Sequence, residues 1–185
     1  MAWRSCETST YNFMEGESPL EPNTRNIMTK ENINLPKRCH PAHPRPLQKH
    51  NCPVIIFLTV CLSPRQPMLD NEEVHEALRI AWSQAVEWAT GYYLIMPDHI
   101  HLFCSPANVG NTDLNKWVTF WKRLVSKKYP AVSGMWQNDY WDTQMRSSEH
   151  WLQKAEYVKN NPVRYGLAKN SEEWSYQGVM SELWW

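Results

Sequence analysis

The stretch Met96-Pro97-Asp98-His99-Ile100-His101-Leu102-Phe103 decides how the rest of the chain is read. It holds two histidines at i and i+2 inside an apolar run. On a β-strand, residues two apart project from the same face. His99 and His101 therefore stand side by side, while Ile100 and Leu102 turn the other way into a core. Pro97-Asp98 marks a tight turn, so residues 92–96 and the histidine segment pair as an antiparallel hairpin. Two adjacent imidazoles can share a metal ion; two structural, hydrogen-bonded histidines are the plainer alternative.

Working outward, residues 54–62 form a continuous apolar and β-branched run suited to a central strand covered on both faces. Asp70 or Asn71 caps a helix that opens on Glu72 and Glu73. Val74, Ala77, Leu78, Ala81, Trp82, Ala85, Trp88 and Ala89 follow helical spacing along it, and Gly91 stops it. Beyond the hairpin, Gly110-Asn111-Thr112 opens a second helix. Leu114, Trp117, Val118, Trp121, Leu124 and Val125 are its buried stripe, and Tyr129-Pro130 closes it. A turn at Gly134 leads to residues 135–141, read as a strand, and 142–146, read as an irregular connection. Ser147 or Ser148 caps a third helix, apolar at Trp151, Leu152, Ala155 and Val158. Pro162 marks its end, because the residue before proline is pushed out of helical geometry. Strand–helix–strand–strand–helix–strand is the ferredoxin-like α+β order, an antiparallel sheet with both helices on one face. The histidines then lie on the open face, which is where the third helix has room.

The 185 residues suffice for one domain with a proper core, placed at 51–185. Residues 1–50 are polar, with six prolines and no sustained periodicity, and read as a disordered leader. Cys39, His40, His43, His50 and Cys52 cluster there, but their spacing fits no closed four-ligand zinc pattern. Five cysteines, an odd number, read as reduced thiols. No apolar run reaches membrane-spanning length and no signal-peptide core opens the chain, so the expectation is a cytoplasmic protein. A formal net charge of zero gives no global nucleic-acid footprint, yet from Lys116 to Lys169 ten basic residues stand against four acidic ones. Lys116, Lys122, Arg123, Lys127 and Lys128 of the second helix are either a solvated face or a track for a phosphate backbone. The 11 tryptophans serve core and groove lining, and aromatic faces also stack unpaired bases.

Late in the third helix, Tyr157 and Asn161 are four apart and share a helix face. A helix laid across the sheet brings both toward the histidines. Taken singly, each also reads as a half-buried tyrosine and a helix-capping asparagine. Taken in order, several motifs resemble one family. They are residues 96–102, Met135-Trp136-Gln137-Asn138-Asp139-Tyr140-Trp141-Asp142, the run Tyr157-Val158-Lys159-Asn160-Asn161-Pro162-Val163-Arg164-Tyr165-Gly166-Leu167, and Trp174-Ser175-Tyr176. The family is the REP-associated tyrosine transposases, single-tyrosine members of the HUH endonuclease superfamily related to the transposases of small insertion sequences. The resemblance spans roughly residues 53–178. Residues 1–50 match nothing in it, and from residue 51 onward 14 acidic residues outnumber 12 basic ones, which is unexpected for a DNA enzyme.

The resemblance implies that His99, His101 and Asn161 bind a divalent metal, Mn2+ or Mg2+, and that Tyr157 is the nucleophile. It also implies a single-stranded DNA substrate bearing a REP-like hairpin, with the protein a monomer or homodimer away from membranes. The chemistry is coherent. Free tyrosine ionises near pH 10, so its hydroxyl needs help at neutral pH, and a metal beside the phosphate supplies it. Attack at phosphorus leaves a 5′-phosphotyrosine and a free 3′-OH, so a second 3′-OH can rejoin the strands without ATP. Two imidazoles and an amide favour manganese over magnesium. Asp98 is a weak candidate for general base. The rival readings are a domesticated relative that binds hairpins without cutting and a metal-dependent hydrolase that uses water instead of Tyr157.

Overall fold

The computed structural model describes His43, residues 54–108 and residues 113–184. The readings made on the rest of residues 1–53 and on Gly110-Asn111-Thr112 lie outside those residues. The central strand β1, Ile56–Cys61, is buried on both faces, as its β-branched run requires. The helix α1, Glu72–Gln84, is capped by Asn71, whose side chain accepts from the Val74 N–H. Strands β2, Trp88–Met96, and β3, His99–Pro106, form the expected hairpin, with Met96 opposite His99. Helix α2, Leu114–Lys128, is capped by Asp113 and followed by a 3-10 turn at Pro130–Val132. Strand β4, Trp141–Gln144, precedes α3, Ser148–Lys159, which Ser147 caps. A short helix α4, Asn161–Arg164, and strand β5, Gln177–Val179, complete the order.

The sheet runs β4-β1-β3-β2-β5, with every pairing antiparallel. Its first four positions are the ferredoxin-like order, with β1 and β3 in the middle; β5, which the sequence did not suggest, extends it beyond β2. The alternating residues of β1 and β3 sort into two cores. Ile56, Leu58, Val60, Ile100 and Leu102 pack with the buried stripes of α1 and α2. Ile55, Phe57, Leu94, Met96 and Phe103 face Val158, Trp151 and Ala155 of α3 on the other side. One face thus carries α1 and α2, and the opposite face carries α3. Among the described residues, no helix is long and apolar enough to cross a membrane.

Three boundaries differ from the sequence reading. Helix α1 stops at Gln84, and Trp88 through Thr90 are already strand, paired with Pro106 through Cys104. Gly91 does not end a helix. It lies where the register shifts between Thr90 and Tyr93, and a Cβ there would meet Leu183 Cδ1 at 2.6 Å. The fourth strand falls on Trp141–Gln144, not on 135–141. Residues 135–137 make only an isolated bridge to the end of β1, with Ser63 donating to the Met135 carbonyl and Gln137 to that of Cys61, and α2 holds them too: Trp136 donates to Ser126 Oγ, and Lys122 donates to the Gln137 carbonyl. Finally, Pro162 does not merely end a helix; it sits in the first turn of α4.

Candidate active site

His99 and His101 project from β3 onto the α3 side of the sheet, and both are buried, at 3% and 4% exposure. The β2–β3 turn that precedes them is fixed, because Met68 and Leu69 donate backbone N–H groups to the Pro97 carbonyl and Leu62 donates to that of Asp98. The Asp98 side chain accepts from His99 Nδ1 at 2.6 Å and from Arg65 at 2.9 Å. Burial alone would raise the Asp98 carboxyl. The His99 hydrogen bond and the His99 and Arg65 charges outweigh it and hold the group below its usual value. Asp98 is therefore placed to orient His99 through Nδ1.

On the neighbouring strand, Thr59 is the register partner of His101, and its Oγ1 lies 2.9 Å from His101 Nδ1. Each imidazole is thus anchored through Nδ1, which turns its Nε2 toward the other. The two Nε2 atoms approach to 3.1 Å, with the rings near perpendicular at 81°. Burial, with the charges of His99, Lys154 and Arg65 adding to it, pushes His101 well below the usual imidazole value. It is a neutral ring at neutral pH, the form that binds metals. Phe57, two residues before Thr59 on the same strand face, stacks on His101 at 5.4 Å.

Asn161 and Tyr157 lie in different environments. The end of α3 falls between them, with Asn160 as its C-cap, so they are not stacked along one continuous helix. Asn161 is buried, at 1% exposure, whereas Tyr157 is 43% exposed. The Asn161 Oδ1 accepts a long 3.4 Å contact from Arg164, and its Nδ2 has no hydrogen-bond partner among the described residues. Arg164 links the two, because its guanidinium also lies 4.5 Å from the centre of the Tyr157 ring. On α3, Lys154 reaches the same ring at 5.4 Å and the Phe57 ring at 5.4 Å. Among the described residues, no three His, Cys, Asp or Glu side chains cluster to hold a metal.

This chain has curated relatives. Over 146 residues it is 25% identical to a Haemophilus influenzae protein named as a REP-associated tyrosine transposase, covering 70% of this chain and 81% of that one. Over 127 residues it is 21% identical to the REP-associated tyrosine transposase of Escherichia coli K12, covering 65% and 73%. The chain is a homologue of the REP-associated tyrosine transposases. A solved REP-associated tyrosine transposase, bound to a REP hairpin, shares the fold with a TM-score of 0.59 at 19% identity, over 71% of this chain and 80% of that one. No family model matches the chain.

For a transposase homologue, where the cations fall matters. Helix α2 packs on the sheet face away from the histidines, so Lys116, Arg123, Lys127 and Lys128 do not border the site. Lys122 is turned inward at 9% exposure and bonded to the Gln137 carbonyl, which makes it a structural residue. Lys116 pairs with Asp113 at 3.7 Å, and Arg123 lies over Phe120. The sequence reading passed over Thr59, Phe57, Lys154 and Arg164. Thr59 carried a signal, as the one polar residue in an apolar run, two positions from Phe57. Lys154 was visible only as a member of a basic stretch, and Arg164 only there and as one position of the run 157–167, with no role attached.

Proposed function

We propose that the protein is a metal-dependent single-stranded DNA endonuclease and strand transferase, which cuts near palindromic hairpins through a 5′-phosphotyrosine intermediate. The observation that carries this is the pair of Nε2 atoms 3.1 Å apart, each ring anchored behind by Asp98 or Thr59, on the sheet face that α3 covers. Two metal–nitrogen bonds of about 2.0–2.1 Å readily meet across such a gap. The carboxylate behind His99 is the outer-shell partner that metal-binding histidines keep. Asn161 is a buried amide whose Oδ1 accepts only a long 3.4 Å contact from Arg164, which leaves that oxygen able to ligate an ion. His99, His101 and Asn161 are the ligand set this favours, and Mn2+ or Mg2+ are the ions. When bound, such an ion supplies charge to offset the negative charge that develops on the phosphoryl oxygens.

The Tyr157 hydroxyl is the nucleophile in this reading. It is exposed enough to meet a strand, and it belongs to a helix whose apolar side is seated on the histidine face. Its oxygen forms the bond to phosphorus as the bond to the 3′ oxygen breaks. The departing oxygen takes up a proton, and the tyrosine proton passes to solvent. The hairpin substrate is carried over from the relatives, one of which is solved with a REP hairpin. The test is incubation of hairpin-bearing single-stranded DNA with the protein and manganese, resolved under denaturing conditions. A label placed 3′ of the cut should travel with the protein, and a 5′ label should not. Tyr157→Phe should abolish the adduct while leaving the fold intact. Cutting by Tyr157→Phe at the normal rate would make water the nucleophile and favour the hydrolase reading.

A further inference from the structure

Two cations bear on the Tyr157 ring, and among the described residues neither has a carboxylate paired with it. Lys154 Nζ lies 5.4 Å and the Arg164 guanidinium 4.5 Å from the ring centre. Among the described residues, the ion pairs involve Arg65, Arg79, Lys116, Lys159 and histidines, but neither Lys154 nor Arg164. Lys154 is partly buried, and a partly buried ammonium without a counter-charge costs free energy that folding alone does not recover. Arg164 also reaches a member of the candidate ligand set, and Lys154 lies next to a ring that stacks on one. Lys154 touches Phe57, which stacks on His101, and Arg164 hydrogen-bonds Asn161. Two positive charges beside one phenol, with the buried amide of Asn161 next to one of them, form a site for an anion.

We infer that Lys154 and Arg164 grip the phosphate to be cut and seat it against the Tyr157 hydroxyl. The inference rests on the function proposed above and adds the phosphate-binding groups that reading lacks. A guanidinium offers paired donors to two phosphate oxygens, and an ammonium adds a point charge. Both strengthen as negative charge builds on those oxygens during attack, so the pair favours the transition state over the bound strand.

The test uses the full chain with a hairpin-bearing single-stranded oligonucleotide and manganese, and has two readouts. The first is the single-turnover rate of adduct formation. Lys154→Met and Arg164→Met keep the apolar bulk of the stems and should each slow it about 100-fold. Lys154→Arg, which restores the charge, should recover most of the rate, and melting temperatures should not fall below wild type, with Lys154→Met the more stable for losing an unpaired ammonium. The second is the salt dependence of binding, measured on a Tyr157→Phe background where no cutting occurs. Removing both cations should lower the slope of log K against log salt by about 0.7, the value for one single-strand phosphate contact. Wild-type adduct rates in the Met variants, with an unchanged slope, would overturn the grip and leave the covalent reading standing. An equal loss in Lys154→Arg and Lys154→Met would also overturn it, since packing and not charge would then be at work. A wild-type protein that forms no adduct, but whose salt slope still falls with these substitutions, would remove the covalent reading and keep the phosphate site.

Discussion

At the scale of single residues, the site is a set of side chains held from behind. Nothing in the sequence distance between Thr59 and His101 marks them as partners; the β1–β3 register does. The metal assignment yields a direct prediction. His99→Ala and His101→Ala should each abolish manganese binding, measured by calorimetry, and manganese-dependent cutting with it. Asn161→Ala should weaken both less, since an amide is the poorest donor of the three. Retention of manganese binding in the double histidine variant would end the assignment. The metal-free protein gives a second prediction. Burial, aided by the charges of His99, Lys154 and Arg65, holds folded His101 well below the ordinary 6.5, so below pH 6.5 the unfolded chain binds a proton that the folded one does not. Its contribution to stability is present above 6.5 and is lost as pH falls toward the folded value. Urea unfolding in EDTA should therefore show stability dropping from pH 7.5 to 5.5. His101→Gln should flatten that slope, and an unchanged slope would mean that His101 is not the group responsible.

At the scale of elements, legibility followed the strength of the local signal. The hairpin was readable because period-2 burial and Pro97-Asp98 agree on it. The end of α1 was not, because Ala85, Trp88 and Ala89 continue a helical spacing that a strand buried on its other face mimics. The tryptophans went largely to the core: Trp82, Trp88, Trp117 and Trp121 are buried between the sheet and the two helices, with Trp121 edge-on to Trp82, Trp117 and Trp136. Tyr157 and Asn161 shared a face in the sequence, but the α3–α4 junction separates them and Arg164 reconnects them. The clasp on β4 was not legible at all. His43 reaches across some hundred residues of sequence to place Nδ1 2.6 Å from Asp142 and Nε2 2.5 Å from Asp139, with its ring 4.5 Å from Tyr140. With both nitrogens so engaged, His43 is not free to join a zinc cluster with Cys39 and Cys52. Burial would lower its pKa, but the two carboxylates outweigh burial and raise it. A raised histidine contributes stability fully below 6.5, and that contribution is lost as pH rises through the folded value. His43→Ala should therefore lower the melting temperature at pH 6 and have little effect at pH 9. An equal loss at both would show that the clasp does not depend on the charge.

At the scale of the molecule, the sheet divides its labour between two faces. Helices α1 and α2 close one side with a large apolar core, and that side carries the stability. The other side has a smaller core around Phe57, Leu94, Met96 and Phe103, and there the strand face gives up apolar positions to His99, His101 and Thr59. Among the described residues, both cores are drawn from residues 54–183. Residues 1–50 are polar and rich in proline, a composition that does not support a core, so a chain lacking them should fold and cut at the full-length rate. The one described contact that it loses is the His43 clasp. Its melting temperature should then fall by the same amount as that of His43→Ala, at pH 6 and at pH 9 alike. Thermal melts of the two proteins side by side, with cleavage assays on the same preparations, decide the matter. If the shortened chain fails to fold, or if a zinc chelator removes activity from the full-length protein, the cysteine and histidine cluster between Cys39 and Cys52 is a structural element and residues 1–50 are not a dispensable leader. If the shortened chain folds but melts far below His43→Ala, residues 1–50 hold the sheet through more than this histidine. Matching losses would instead make the His43 clasp the whole of their thermodynamic contribution, and would leave the sheet with its two cores, and the site on the α3 face, as a self-sufficient unit.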